Sequence, residues 1–159
     1  MASYTQPSDP ATISPATLSA SLRNQIATAE PLLRAIPSET AAQPLAPGKW
    51  STQQVIGHLI DSATNNLQRI VRLQLQPELD LPGYQQDGWV RVQHYDQLPW
   101  SEVVALWAAL NLHLAHVIRH VEPAHLTRVW LYGENRLTLG FIIEDYIAHL
   151  EHHLRGLGL

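Results

Sequence analysis

The chain has 159 residues, 45% of them hydrophobic, which is enough for one domain with a substantial core and too few for two. The ten Lys and Arg residues are dispersed and the formal net charge is -4, which excludes the basic surface of a nucleic-acid-binding protein. Cysteine is absent, which excludes disulfides, thiolate ligands and a cysteine nucleophile, so any metal site must use imidazole and carboxylate groups.

Residues 1–14 are rich in Pro, Ser and Thr, and we expect them to form a flexible lead-in to a single domain at residues 15–159. They carry neither the charged nor the apolar region of a signal peptide. No continuous apolar run approaches the ~18 residues of a membrane-spanning helix. These features favour a cytoplasmic protein that acts on a small molecule, with neither a membrane nor a nucleic acid as its partner.

Four helices of similar length are predicted along the chain. Their ranges are about 15–36, 52–75, 100–121 and 138–155. The first begins at Ser14-Pro15, because proline fits the first helical turn, and the second is capped by Ser51. Pro77 and Pro123 follow the second and third helices and end them.

Two connections between these helices differ from ordinary turns. Residues 77–99 have scattered Pro, Gly and Asp without a sustained hydrophobic period, which predicts a long ordered loop. Before the last helix, residues 129–136 predict a small β-hairpin around Gly133-Glu134-Asn135. Four helices with two long connections indicate an all-α protein with a four-helix bundle, the commonest helical solution at this size.

The chain contains nine histidines, and their positions on the predicted helices decide which of them can meet. On the last helix, at about 100° per residue, His149 and His153 converge beside the buried stripe while His152 points towards solvent. Two imidazoles four residues apart on one helix can grip a single metal ion. A third imidazole from another helix, with His58 as the candidate, would complete a three-histidine site.

Other arrangements of the histidines are compatible with the same pattern. His113, His116 and His120 lie on a flank of the third helix away from its core stripe, which indicates surface or subunit-interface residues that could capture metal adventitiously. His58 lies well over a right angle from the apolar centre of the second helix, so periodicity alone predicts an exposed side chain. From spacing alone, a three-histidine site and a set of surface histidines both remain open.

Three motifs together resemble a known family: Lys49-Trp50-Ser51, His58-Leu59-Ile60-Asp61 and His149-x-x-x-His153. Their order, helix placement and separation are similar to those of the DinB/YfiT-like superfamily, over roughly residues 15–155. The Gly133-to-Thr138 stretch that leads into the last helix fits the same family. The resemblance implies an up-down-down-up bundle with a metal site at one end, whose ligands would be His58, His149 and His153.

The resemblance also implies an activity. Members of the family include thiol-dependent transferases and proteins named as metal-dependent hydrolases. A site with three imidazoles leaves at least one coordination position open, as catalytic zinc sites do, for a water or a low-molecular-weight thiol. We therefore expect a divalent metal, zinc or nickel first and iron or manganese next, and either thiol transfer or hydrolysis on a small substrate.

Three acidic residues are candidates for catalysis. Asp61 lies three residues after His58 and Asp145 one turn before His149, so that either could orient an imidazole through a hydrogen bond. Asp87, in the predicted 77–99 loop, could fold over the cleft and act as a general base. Asp61 and Asp145 are equally compatible with a solvated surface acid or a helix cap, and for the loop that carries Asp87 an ordinary packed crossover is the favoured alternative.

Two arginines are candidates for binding a cofactor that carries a carboxylate, Arg69 and Arg136, although exposed arginines at helix edges need no such role. Trp130 and Tyr132, in the predicted hairpin, could form the wall of an apolar pocket or a subunit contact. We expect a homodimer. The alternatives to an enzyme are a metal- or ligand-binding helical homodimer without catalysis, and a helical dimer whose histidines are surface residues.

Overall fold

The computed structural model describes residues 9–159, and four long helices within this range confirm the predicted bundle. In chain order the elements are α1 (Pro15–Ala35), α2 (Ser38–Ala42), α3 (Thr52–Leu75), β1 (Glu78–Asp80), α4 (Gln86–Gln93), α5 (Trp100–Arg119), β2 (Val129–Tyr132), β3 (Asn135–Thr138) and α6 (Leu139–Gly156). Short 3-10 turns lie at Pro10–Thr12, Tyr95–Gln97 and Pro123–His125. Residues 1–8 of the predicted lead-in lie outside the described residues.

Side-chain caps fix where the two helices with the candidate histidines begin. The Ser51 hydroxyl accepts from the Gln54 amide, and the Gln54 side chain accepts from the Ser51 amide, forming a capping box at the start of α3. Thr138 caps α6 by accepting from the amide of Phe141 at 3.2 Å. These caps satisfy amides that have no partner inside the helix. They also set where along each helix its histidines fall.

The helices α1 and α5 are antiparallel. Near the start of α1, the Ser19 hydroxyl donates to the Ala115 carbonyl of α5 at 2.6 Å. Near the end of α1, the Trp100 indole at the start of α5 donates to the Leu33 carbonyl at 3.1 Å. Both bonds join buried groups, and they hold the two helices in register within the core.

The helices α3 and α6 are also antiparallel, whereas α1 and α6 run in the same direction. The Arg128 side chain, shortly before α6, donates at 2.9 Å to the carbonyl of Leu73 near the end of α3. Ile13, just before α1, packs against Gly140 in the first turn of α6. The order along the chain is therefore up, down, down and up, with α1 and α3 each packed against α5 and α6. Of the consecutive helices, α1 and α3 lie diagonally, as do α5 and α6, whereas α3 and α5 are parallel neighbours, so the connection between them has to run back along the bundle.

The 77–99 connection contains two regular elements that the sequence pattern did not predict. Its first residues form β1, which pairs in parallel with β2 so that Leu79 faces Trp130. The predicted hairpin of β2 and β3 is confirmed and becomes part of a three-stranded sheet in the order β1-β2-β3. Further along, α4 forms and buries Val90. Local periodicity missed both elements because β1 depends on a distant partner strand and α4 has only 8 residues.

By length and composition α5 could cross a membrane, with a mean hydropathy of 1.4 over its most apolar window, although no continuous apolar run reaches that length. Of that window, 44% is buried inside the fold. Trp107 and Leu114 of this helix have no exposed surface. Because helices in the core of a bundle meet the same criterion, the feature is weak evidence for a membrane span.

Candidate metal centre

The structure brings His58 of α3 together with His149 and His153 of α6. The Nε2 atom of His149 lies 3.2 Å from the Nε2 atom of His58 and 3.2 Å from that of His153. One ring nitrogen from each histidine lies within 4.8 Å of the others. Within residues 9–159 this is the one group of three or more histidine or acidic side chains close enough to share a metal ion.

His58 is fully buried, with 0% of its surface exposed, which corrects the prediction from periodicity that it faces solvent. Three other polar residues of α3, Ser62, Asn66 and Arg69, are buried as well. The Trp50 ring lies 5.3 Å from the His58 imidazole and helps to enclose it. Periodicity locates the apolar side of a helix, whereas in α3 a polar side is also enclosed because it faces α6 across the site.

The spacing of the three imidazoles fits a divalent metal ion. With metal-nitrogen distances of about 2.0–2.1 Å, two imidazole ligands lie about 2.9 Å apart in an octahedral site and about 3.3 Å apart in a tetrahedral one. The two Nε2 to Nε2 distances from His149, both 3.2 Å, fall between these values. The Nδ1 atoms of His58 and His149 are buried without a hydrogen-bond partner among the described residues, so the Nε2 atoms are the ones that converge.

Burial keeps these histidines neutral. It lowers the pKa of His58 to about 4 and that of His149 to about 3, and the positive charge that a neighbouring His153 would carry adds to both shifts. The pKa of His153 is lowered as well, first by burial and then by the charge of His152. At neutral pH all three rings therefore keep an unshared electron pair on one nitrogen, which is the form that binds a metal.

The metal-free protein is expected to lose stability as the pH falls from 7 to 5. A histidine with a pKa near 6.5 when unfolded and lower when folded binds more protons in the unfolded state, so stability is complete above pH 6.5 and declines below it. By pH 5, His58 and His149 would each contribute up to about 2 kcal/mol of this loss. Thermal unfolding of the chelator-treated protein at a series of pH values measures this loss of stability. The stability of the His149→Gln variant should fall less steeply with pH than that of His152→Gln. Equal slopes would contradict the conclusion that His149 is buried in its neutral form.

Asp61 is buried, and it binds the 77–99 connection rather than a histidine. Its Oδ1 atom accepts from the Tyr95 hydroxyl at 2.7 Å and from the Gln93 side chain. Its Oδ2 atom and the Nδ1 atom of His58 have no hydrogen-bond partner among the described residues, so the predicted bond between them is not formed. Burial raises the pKa of Asp61 despite the two donors. The aromatic content of the connection was the only sequence signal for this contact.

A cavity of about 390 Å³ opens beside the histidine cluster. Its wall combines side chains of α3, the 77–99 connection, the small sheet and α6, among them Arg69, Tyr84, Trp130, Tyr132, Asp145 and His149. Trp130 and Tyr132 thus form a pocket wall, one of the two roles considered for them. Asp145 is half-buried in this wall, whereas Asp87 is exposed in the first turn of α4 and takes no part in it. The volume suits a small ligand.

The two candidate arginines lie in different surroundings. Arg69 lines the cavity and is 6% exposed, and its guanidinium carbon lies 3.9 Å from the centre of the Trp130 ring. Arg136 is exposed on β3, where it forms an ion pair with Glu78 of β1. Of the two, Arg69 is therefore the one placed to meet a ligand in the cavity.

The remaining histidine cluster is on the surface. His113 and His116 are exposed on α5, His120 is exposed at the C-cap of this helix, and the rings of His116 and His120 lie 4.5 Å apart. His152 is exposed on α6, as predicted. The surface pair on α5 has the spacing to capture metal weakly, so a metal assay on this protein needs variants that separate it from the buried cluster.

Comparison with known proteins gives matches of three kinds. The family model described as the DinB superfamily matches residues 21–157. Two bacterial relatives carry the name "Putative metal-dependent hydrolase": one of Oceanobacillus iheyensis is 28% identical over 108 residues, covering 67% of this chain and 62% of the relative. One of Bacillus mycoides is 24% identical over 111 residues, covering 69% and 64%. The matches thus span less than two thirds of either relative's length.

A solved structure shares the whole fold. YfiT from Bacillus subtilis, described as "a probable metal-dependent hydrolase with an unusual four-helix bundle topology", superposes with a TM-score of 0.83. The superposition covers 97% of this chain and 94% of YfiT at 19% sequence identity. At this identity the likeness establishes the fold, and it confirms the predicted four-helix bundle.

Proposed function

We propose that this chain, which belongs to the DinB superfamily, is a metal-dependent enzyme in which His58, His149 and His153 hold one divalent ion beside a cavity for a small substrate. The observation that carries the proposal is the convergence of three neutral Nε2 atoms from two helices, one of which belongs to His149 in the wall of that cavity. The names of the bacterial relatives support metal-dependent hydrolysis as the type of activity.

The ion we expect first is zinc or nickel, with iron and manganese as further ions that accept imidazole ligands. When bound, such an ion would acidify a water or a thiol in its open position and so provide a nucleophile at neutral pH. Because the chain has no cysteine, a thiol nucleophile would have to arrive with a low-molecular-weight cofactor. Hydrolysis and thiol transfer are therefore two uses of the same three histidines.

Residues of the cavity are placed to handle protons during the reaction. Asp145 lies one helical turn before His149 and lines the same cavity, so we propose it as the general base, in preference to the buried Asp61 and the exposed Asp87. Burial raises the pKa of Tyr84 to about 12, so its hydroxyl stays protonated and can donate to a substrate oxygen.

Two model reactions test the proposal with zinc- or nickel-loaded protein. One is the hydrolysis of p-nitrophenyl acetate, and the other is displacement of chloride from 1-chloro-2,4-dinitrobenzene by the thiol of N-acetylcysteine. We expect metal-dependent turnover in at least one of them, lost on chelation and recovered when the ion is restored. His58→Ala should abolish the turnover because it removes one ligand, whereas His152→Ala, which changes an exposed histidine, should retain it.

The same assays distinguish the alternatives. Metal bound by wild type without turnover above that of the free ion in either reaction would favour a metal-binding helical protein without catalysis. Equal turnover in wild type and His58→Ala would place the reaction outside the buried cluster. A rate that requires the thiol would assign the transferase activity, and a rate that is independent of it would assign hydrolysis.

A further inference from the structure

Arg69 is a buried cation on the wall of the cavity. It is 6% exposed, and its Nη1 atom donates to the Asn66 side-chain oxygen at 3.1 Å. Its Nε atom is buried and has no hydrogen-bond partner among the described residues. The guanidinium is thus held in place while part of its hydrogen-bonding capacity is unused, although a buried charged donor without an acceptor is costly.

No carboxylate of residues 9–159 forms an ion pair with Arg69, since the ion pairs within this range involve other residues. Burial lowers the pKa of Arg69, and Tyr84, Tyr132 and Asp145 oppose the shift. Asp145 lines the same cavity as Arg69. Arginine keeps its charge in proteins, so the cavity retains a buried positive group.

The face of the guanidinium is fixed by Trp130, whose ring centre lies 3.9 Å from the guanidinium carbon. The Trp130 ring is itself held because its indole nitrogen donates to the Leu81 carbonyl at 2.7 Å. Stacking on the face of a guanidinium leaves the N–H groups at its edge available. That edge matches the two oxygens of a carboxylate, which it can bind through parallel hydrogen bonds.

We propose that Arg69 binds the carboxylate of a small anionic substrate or cofactor whose other end reaches the cluster of His58, His149 and His153. The assignment of that other end rests on the proposed function. Arg69, Asp145 and His149 line one cavity, and Asp145 lies about 6 Å along α6 from His149, the rise of four helical residues. The site therefore selects short molecules with a reactive group at one end and a carboxylate at the other.

The experiment uses cobalt-loaded protein, in which a bound thiolate gives a charge-transfer absorption. Wild type is titrated with 3-mercaptopropionate and with its neutral analogue 3-mercaptopropionamide. We expect wild type to bind the carboxylate compound about tenfold to a hundredfold more tightly, the effect of a charged hydrogen bond. Arg69→Met, whose unbranched apolar side chain can still pack on Trp130, should lose this preference while its cobalt content stays at the wild-type level.

Arg136→Met is the matched control, since Arg136 is exposed and pairs with Glu78 outside the cavity wall. It should keep the preference of wild type. Equal affinity of wild type for the two thiols would overturn the proposal even where both bind cobalt. The proposal is also overturned if Arg69→Met still binds 3-mercaptopropionate more tightly than 3-mercaptopropionamide.

A second measurement does not depend on the metal. The side-chain Nε–H resonance of Arg69, assigned by its absence in Arg69→Met, is followed in metal-free protein during titration with glutarate, glutaramide or inorganic phosphate. A shift with glutarate alone supports the proposal. No shift with glutarate, or a shift with phosphate in its place, overturns it. If the protein binds no cobalt, the proposed function fails, and this titration still decides the role of Arg69.

Discussion

Replacing His149 with alanine is expected to abolish metal binding. Purified without a polyhistidine tag, wild type should carry about one divalent ion per chain and the variant none. His149 is the central member of the cluster, since its Nε2 atom lies 3.2 Å from those of both His58 and His153. Removing a group that only hydrogen-bonds to a metal ligand lowers metal affinity about 10–100-fold, so removing a ligand itself should lower the affinity further. Elemental analysis after dialysis against metal-free buffer measures the bound ion.

Variants of surface histidines make this result specific. His152→Ala changes an exposed neighbour on the same helix and should keep the ion. Replacing both His116 and His120 with alanine removes the exposed histidine pair at the end of α5. This double variant should keep the one tightly bound ion and lose only metal that is bound weakly in excess of it. If wild type holds no ion, or His149→Ala holds as much as wild type with an unchanged circular dichroism spectrum, the buried cluster is not a metal centre.

The two histidines of α6 could be predicted to meet from sequence alone, because residues four apart on a helix lie on one side of it. His58 could not be placed in the same way. Which sides of α3 are enclosed depends on α6 and on the Trp50 ring, and neither is visible in the periodicity of α3. His58 is a candidate third ligand from the residues alone, but the family resemblance, rather than the spacing, favours it over a surface histidine.

The same distinction applies to the fold. The bounds of α3, Thr52–Leu75, follow from the Ser51 cap and from Pro77, which are local signals. By contrast, β1 is a strand only because β2 lies beside it after the chain has crossed the bundle. The stacking of Arg69 on Trp130 joins α3 to β2, which are also distant in sequence, so the cavity wall could not be derived from local pattern.

The electrostatics of the site point to one kind of ligand. The buried histidines are neutral, so they add no positive charge of their own, and a divalent ion would contribute its full charge. Arg69 places a further buried positive charge in the same cavity, against the single carboxylate of Asp145 in its wall. A metal-loaded site would therefore attract anions, which agrees with the carboxylate ligand proposed for Arg69.

Replacing Gly57 with alanine is expected to destabilise the protein by about 1–3 kcal/mol, although alanine is the better helix former. Gly57 precedes His58 in α3, and a Cβ atom there would lie within 3.0 Å of three ring carbons of Tyr95. The ring has little freedom to move, because Tyr95 is 3% exposed and its hydroxyl donates to Asp61 at 2.7 Å. Thermal unfolding should show a Tm lower by roughly 3–10 °C.

Gly156→Ala is the matched control, since a Cβ atom at this position in the last turn of α6 meets nothing within 4 Å. It should leave stability unchanged or raise it by up to about 1 kcal/mol. Combining Gly57→Ala with Tyr95→Leu should give less than the sum of the two losses, because the residues are in contact. A Gly57→Ala protein as stable as wild type would mean that the Tyr95 ring does not pack on α3. The bond from Tyr95 to Asp61, which ties the 77–99 connection to the helix of His58, would then lose its support as well.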